Sequence, residues 1–225
     1  MAAEKVTPES INFMAKYGRG LICVPMLRER LKQLDLPPMT SHNTSPFSTA
    51  FHISFDAAQE ITTGISAYDR AYSIRLVADP NTQAKDLVRP GHLFPLCARE
   101  GGVLVRAGQT EGSIDLLKMA NMTPIAVICE IMKDDGTMAR LPDLEKFAEE
   151  HNLKICSIVQ IIRYRRAHEK LIKKVAEASL PTIYGNFNII VYESMIDSYQ
   201  HVALVKGDVS SGKPVLVRVH SECFT

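Results

Sequence analysis

The stretch RPGHLFPLCAREGGVLVRAGQTE, residues 89–111, holds the densest run of chemically capable side chains in the chain, set among apolar segments that read as secondary structure. Gly91-His92 sits in a Gly/Pro-bounded turn before the apolar run Leu93 to Leu96. Gly102 to Arg106 reads as a strand. Thr110 stands where a helix begins, with Ile114, Leu117 and Met119 at helical spacing behind it. The segment thus reads as strand, turn and helix in that order.

Working outward, Thr7-Pro8-Glu9 opens a helix: a capping hydroxyl, proline at the first helical position, then an acid near the positive helix end. Gly18 ends that helix. Leu21 to Met26, Ala50 to Phe55, Ile125 to Met132 and Ile155 to Tyr164 read as strands, and Asp143 to Asn152 as an amphipathic helix. Pro37 to Pro46 is a loop, and Asp134-Asp135-Gly136 a hairpin turn rather than a metal site. The basic run Arg163 to Lys174 reads as a solvated linker helix, with nucleic-acid binding as the sharper alternative. After Pro181 come three strand candidates, Ile189 to Tyr192, Val202 to Val205 and Val215 to His220.

Composition narrows the function classes. The 225 residues carry a net charge of +1, so electrostatics imply no polyanionic partner. No apolar run is long enough for a membrane span, and no apolar core follows the first charges as in a signal peptide. Five cysteines without a CxxC pair read as reduced thiols of a cytoplasm-like compartment. Plastid or other organelle import stays open if a longer N-terminus precedes Met1.

The chemistry-bearing residues each admit two readings. His92 suits proton transfer near neutrality, or is a hydrogen-bonded loop histidine. Arg106-Ala107-Gly108-Gln109-Thr110 combines a guanidinium fork, a glycine permitting close approach and a helix start, the makings of an oxyanion cradle, or is a capped strand–turn–helix. Glu130 lies inside the apolar run Ile125 to Met132; buried, it would suit general acid–base work, and at a strand end it would face solvent. Thr62 to Arg70 places hydroxyls, Asp69 and Arg70 close together.

Taken in order, Thr49-Ala50-Phe51, Thr62-Thr63-Gly64-Ile65-Ser66-x-x-Asp69-Arg70, Gly91-His92-x-Phe94-Pro95-Leu96, Arg99-Glu100-Gly101-Gly102-Val103-Leu104, Arg106-x-Gly108-x-Thr110-Glu111, Ile128-Cys129-Glu130-Ile131-Met132 and Asp135-Gly136-x-Met138-Ala139-Arg140 resemble the 3,4-dihydroxy-2-butanone 4-phosphate synthases of riboflavin biosynthesis. The resemblance covers residues 1–164. Residues 165–180 would be the linker helix, and 181–225 resemble the start of GTP cyclohydrolase II. The implied fold is α/β (α+β), a mixed-sheet domain with surrounding helices followed by a truncated β-rich segment.

The resemblance implies a Mg- (or Mn-) dependent homodimeric lyase with its site at the subunit interface. It would convert D-ribulose 5-phosphate to formate and 3,4-dihydroxy-2-butanone 4-phosphate. By motif, His92 and Glu130 transfer protons. Arg106, Ala107, Gly108, Gln109 and Thr110 hold substrate, and Asp69, Arg70 and Cys23 line the pocket. Two departures are expected to weaken metal binding. The family's acidic Arg-Glu-x-Glu-Gly-Asp loop does not precede Met1, and Gln109 replaces the metal-ligating histidine with a neutral oxygen. In the tail, Arg218, Val219, His220, Ser221 and Glu222 match a GTP-contacting run and Cys223 the first of three zinc cysteines. A single cysteine holds no zinc, so neither zinc nor cyclohydrolase activity is expected. The alternative reading is a non-catalytic paralogue that dimerises with an intact riboflavin-pathway enzyme.

Overall fold

The computed structural model describes residues 1–221, in two compact units divided between Ala167 and His168.

The first unit is built on a mixed sheet. Its first helix, α1 (Pro8–Phe13), starts as the sequence predicts: the Thr7 hydroxyl accepts from the Ser10 amide at 3.2 Å, and Ser10 Oγ accepts from the Thr7 amide at 3.0 Å. One turn of π-helix (Met14–Gly18) follows, and Arg19 stops it in the left-handed conformation, φ 65°. Strand β1 (Cys23–Met26) is buried along its whole length. After α2 (Arg28–Gln33) and a long loop comes β2 (Phe55–Ala57), then α3 (Ala67–Ala78), capped by Ser66, and β3 (Leu87–Cys97).

β3 is central: β1 runs parallel to it, with Cys23 opposite Phe94 and Met26 opposite Cys97, and β2 runs antiparallel on its other side. Beyond β1, residues 125–128 add on through antiparallel bridges Cys23–Ile128 and Met26–Ile125, and Ala2 bridges Ala126 outside them. A sheet covered on both faces needs apolar side chains throughout. Val24, Met26, Phe55 and Leu93 supply them, packed against Ile11 of α1 and Ile74 of α3.

Several expectations are corrected in this unit. Gly102 to Leu104 is a 3-10 turn, not a strand, because Gly101 (φ 84°) and Gly102 (φ 64°) both take left-handed conformations that strands exclude. His92 lies within β3, not in a free turn. Residues 155–164 give no strand: α6 (Ile158–His168) occupies them, started by Ser157, whose hydroxyl accepts from the Gln160 amide while Gln160 Oε1 accepts from the Ser157 amide. The helices α4 (Gln109–Met119) and α5 (Leu141–Glu150) fall where expected, as does the turn at 134–136, closed by Lys133 N–H donating to the Thr137 carbonyl.

The second unit is an antiparallel meander, β4 (Ile172–Thr182), β5 (Gly185–Ser194) and β6 (Gln200–Val205). The linker helix expected over 165–180 is corrected: α6 ends at His168, and from Ile172 onward the chain is strand. Its register explains why. Ala178 opposes Ile189, which opposes Leu204; Ala176 opposes Val191, which opposes Val202. These residues share one face by alternation, so a strand gathers side chains that a helix would scatter. Val215 to His220 forms no strand.

Candidate active site

Strands β2 and β3 fall out of register between Phe55 and Asp56: Phe55 pairs with Leu93, but Asp56 with Val88. Residues 89–92 are therefore surplus and bulge from the ladder. Two buried side chains of β2 and its approach collect the bulge's amides. Ser54 Oγ accepts from Gly91 N–H at 3.1 Å, and Asp56 Oδ1 accepts from His92 N–H at 3.0 Å. The other Asp56 oxygen lies 2.7 Å from His92 Nδ1. The Asp56 side chain is 6% exposed and that of His92 44%, so the acid is enclosed and the imidazole opens outward.

A second buried carboxylate braces this pair. Asp69 accepts from the Thr62 amide (3.2 Å), the Thr62 hydroxyl (2.8 Å) and the Gly64 amide (3.0 Å). Burial opposes its charge, but these hydrogen bonds prevail and hold its pKa below the ordinary carboxylate value. The loop so fixed puts Gly64 (φ 88°) directly over the Asp56–His92 bond. Asp69 thus supports the histidine, and Arg70, next along α3, is half-buried with a buried Nε that has no hydrogen-bond partner among the described residues. Burial lowers the Arg70 pKa, offset in part by the neighbouring Cys129.

Of the two readings open for Glu130, the structure shows the solvent-facing one: the side chain is exposed. The Gly20-Leu21 backbone clasps it, with Leu21 N–H donating to Oε2 at 2.9 Å and Gly20 too close for any Cβ. Register places it. Cys23 opposes both Phe94 and Ile128, so continuing the two registers by two residues would bring Leu21, His92 and Glu130 to one level. The two backbones would then stand two strand spacings apart, roughly 10 Å, at one end of the sheet. Cys23 lies just inside; burial, then the charge of Glu130 and the Cys129 thiol, push its pKa up to about 12.

Arg106 occupies the other end. Its Nη1 donates to Glu111 Oε2 at 2.7 Å and its Nη2 to the Phe47 carbonyl at 3.3 Å. Glu111, fully buried, also accepts from the Arg99 amide at 3.0 Å. Glu111 and Arg99 bear on Cys97, the last residue of β3. Cys97 is five residues from His92, roughly 17 Å of strand. Gly108, not Thr110, caps α4, and it does so without a side-chain bond. Thr110 is buried in the first turn; Ala107 and Gln109 are exposed. The turn ahead of Arg106 is pinned by Asp115, which accepts from Val103 N–H (2.8 Å) and Arg165 Nη1 (2.9 Å). Within one chain the strand registers thus point His92 and Glu130 toward one end of the sheet and the guanidinium cradle toward the other.

Asp56 and Glu111 were not singled out from sequence. A carboxylate inside the apolar run Ile53 to Ala58 was a usable sign, the same one that drew attention to Glu130. Among the described residues, no three His, Cys, Asp or Glu side chains converge as a metal site. Arg218, Val219, His220 and Ser221 lie in an exposed stretch without regular structure, and Glu222 and Cys223 fall outside the described residues. No helix of the described residues is long and apolar enough to cross a membrane.

Comparison with known proteins gives this geometry a context. Residues 1–164 match the family model for 3,4-dihydroxy-2-butanone 4-phosphate synthase, and residues 173–225 that for GTP cyclohydrolase II. A riboflavin biosynthesis protein RibBA of Aquifex aeolicus is 59% identical over 227 residues, covering 100% of this chain and 56% of that protein. The chain thus spans about half the length of the curated relatives it matches. Among solved structures, RibBX of A. baumannii, described as a two-domain 3,4-dihydroxy-2-butanone 4-phosphate synthase, superposes with TM-score 0.82 at 45% identity, over 92% of this chain and 61% of that one. A synthase in complex with two magnesium ions superposes with TM-score 0.72 at 41% identity, over 75% of this chain and 84% of that one. With its synthase match running through the whole sheet and both ends of the site, this chain belongs to the 3,4-dihydroxy-2-butanone 4-phosphate synthase family.

Proposed function

We propose that the chain acts in riboflavin biosynthesis on D-ribulose 5-phosphate, releasing formate and 3,4-dihydroxy-2-butanone 4-phosphate. The observation that carries this reading is the enclosed Asp56 under an outward-facing His92; continuing the strand registers would bring Glu130 to the same sheet end. Enolisation of a sugar phosphate needs a base and an acid that can exchange protons with neighbouring carbons. His92 and Glu130 would do this, and the half-buried Arg70 would hold negative charge beside them. The Arg106 to Thr110 turn offers the phosphate a guanidinium and the start of α4.

The separation of Arg106 from His92 supports a site completed by a second copy, whose cradle would face this chain's His92. The chain's own residues do not fit a divalent cation well. Gln109 presents one neutral amide oxygen, and the nearby Glu111 carboxylate is spent on Arg106 and the Arg99 amide. Metal binding by these residues would therefore be weak.

The test is formate release from the purified chain with D-ribulose 5-phosphate across a magnesium titration. His92→Ala and Arg106→Ala should each be inactive. Remixed, they should recover about a quarter of the wild-type rate, because half the dimers then hold one intact site of two. No formate at any magnesium concentration sinks the activity, and a remixed sample no better than its parents sinks the shared site.

A further inference from the structure

We propose that Asp56 is the positioning residue for His92: it fixes the imidazole as the Nδ1–H tautomer and leaves the Nε2 lone pair pointing outward to receive a proton. This deepens the reading of His92 given above and rests on it.

The two oxygens of Asp56 do different jobs. Oδ1 accepts from the His92 main-chain N–H, so the carboxylate is anchored to the same residue whose ring it orients. Oδ2, 2.7 Å from Nδ1, can only accept, so a hydrogen must lie on Nδ1. In the neutral ring Nε2 is then the acceptor, on a side chain 44% exposed. The arrangement is shut from the third side by Gly64. A Cβ there would stand 2.3 Å from Asp56 Oδ2 and 2.6 Å from His92 Nδ1, so the glycine lies over the bond and keeps water from competing for it. Gly64 is in turn held by Asp69 through its amide. A merely structural ion pair needs none of this: neither the two-point anchoring, nor the close-packed lid, nor a ring left open on its far side.

Asp56→Asn tests it with unusual clarity. The main-chain N–H of His92 claims the amide oxygen, which leaves the Asn NH2 facing Nδ1. Nδ1 must then accept, the hydrogen moves to Nε2, and the outward lone pair is lost. The full chain, labelled with 15N-histidine, is observed by two-bond 1H–15N correlation NMR, and the His92 signals are assigned by their absence in His92→Gln. Wild type should show the Nδ1–H tautomer, Asp56→Asn the Nε2–H tautomer, and Asp56→Glu a return toward Nδ1–H. An Nε2–H ring in wild type, or a tautomer unchanged in Asp56→Asn, overturns the proposal whatever the activity. The formate assay is read separately. Loss of kcat by roughly 10^4-fold with KM held is the size expected when an orienting acid is replaced by its amide. Tautomer inversion with undiminished formate release would leave Asp56 as the orienting group and refute the proton-transfer role of His92.

Discussion

Gly64→Ala puts one methyl group where the structure has the least room for it. Two costs follow. The backbone at φ 88° is left-handed, which an L residue with a Cβ resists by about 1–2 kcal/mol. The methyl also falls 2.3 Å from Asp56 Oδ2, so it must displace the carboxylate from the imidazole, at about 1.5–3 kcal/mol for a charge-assisted hydrogen bond. Because the imidazole is half-exposed and regains water, the lower part of that range applies. The total is roughly 3 kcal/mol. Gly136→Ala isolates the first cost: its φ is 81°, nearly the same, and nothing lies within 4 Å of the added Cβ. It should lose only about 1–2 kcal/mol. Thermal unfolding of the full chain followed by circular dichroism reads both. At roughly 2–4 °C per kcal/mol for a unit of this size, Gly64→Ala should melt about 6–12 °C below wild type and Gly136→Ala about 2–8 °C. Equal losses for the two variants would refute the claim that Gly64 is packed onto the dyad, since backbone strain alone would then account for both.

The same carboxylate network makes a pH prediction. The folded pKa of Asp69 is lowered, so its contribution is fully present above its ordinary value of 3.8 and is lost as the pH falls through the folded value. The stability gap between wild type and Asp69→Asn, measured by urea unfolding, should therefore be constant at higher pH and close below 3.8; a gap independent of pH across that range counts against the charge on Asp69. Cys23, pushed up to about 12, should resist alkylation by iodoacetamide at pH 8 in the native chain, while the exposed Cys156 reacts. Peptide mass spectrometry showing both labelled at similar rates would contradict the burial of Cys23.

Where the sequence could be read, the signal was local. Thr7-Pro8 caps α1 because the hydroxyl and the missing proline N–H act within one turn. The buried run at β1 and the turn at 134–136 are equally self-contained. The failures came where two periods compete over a short apolar run. Ile158, Ile161 and Arg165 fit a helix as well as residues 155–164 fit a strand, and the deciding sign is Ser157 followed three residues on by Gln160. In β4 the residues Lys173 to Ala178 have good helix propensity, but pairing with β5 overrides it: Ala176, Ala178 and Leu180 alternate with Glu177 and Ser179, and alternation serves only a sheet.

The site shows the same limit from the other side. Motif letters identify His92, Arg106 and Glu130, but not their assembly, because position in a sheet is set by register and not by separation along the chain. Arg106 is near His92 in sequence yet at the far end of β3, since the strand carries the chain away at about 3.3 Å per residue. Glu130 is much farther along the chain, yet register brings it toward the His92 end of the sheet, since Cys23 pairs with segments on both sides of it. The surplus residues 89–92 complete the arrangement: they swing His92 out of the ladder and onto Asp56, where an unbulged antiparallel ladder would have paired the two strands and left the imidazole no carboxylate. A single-residue deletion within 89–92 would therefore be expected to separate His92 from Asp56 while β3 keeps its pairing with β1, because that pairing begins only at Phe94.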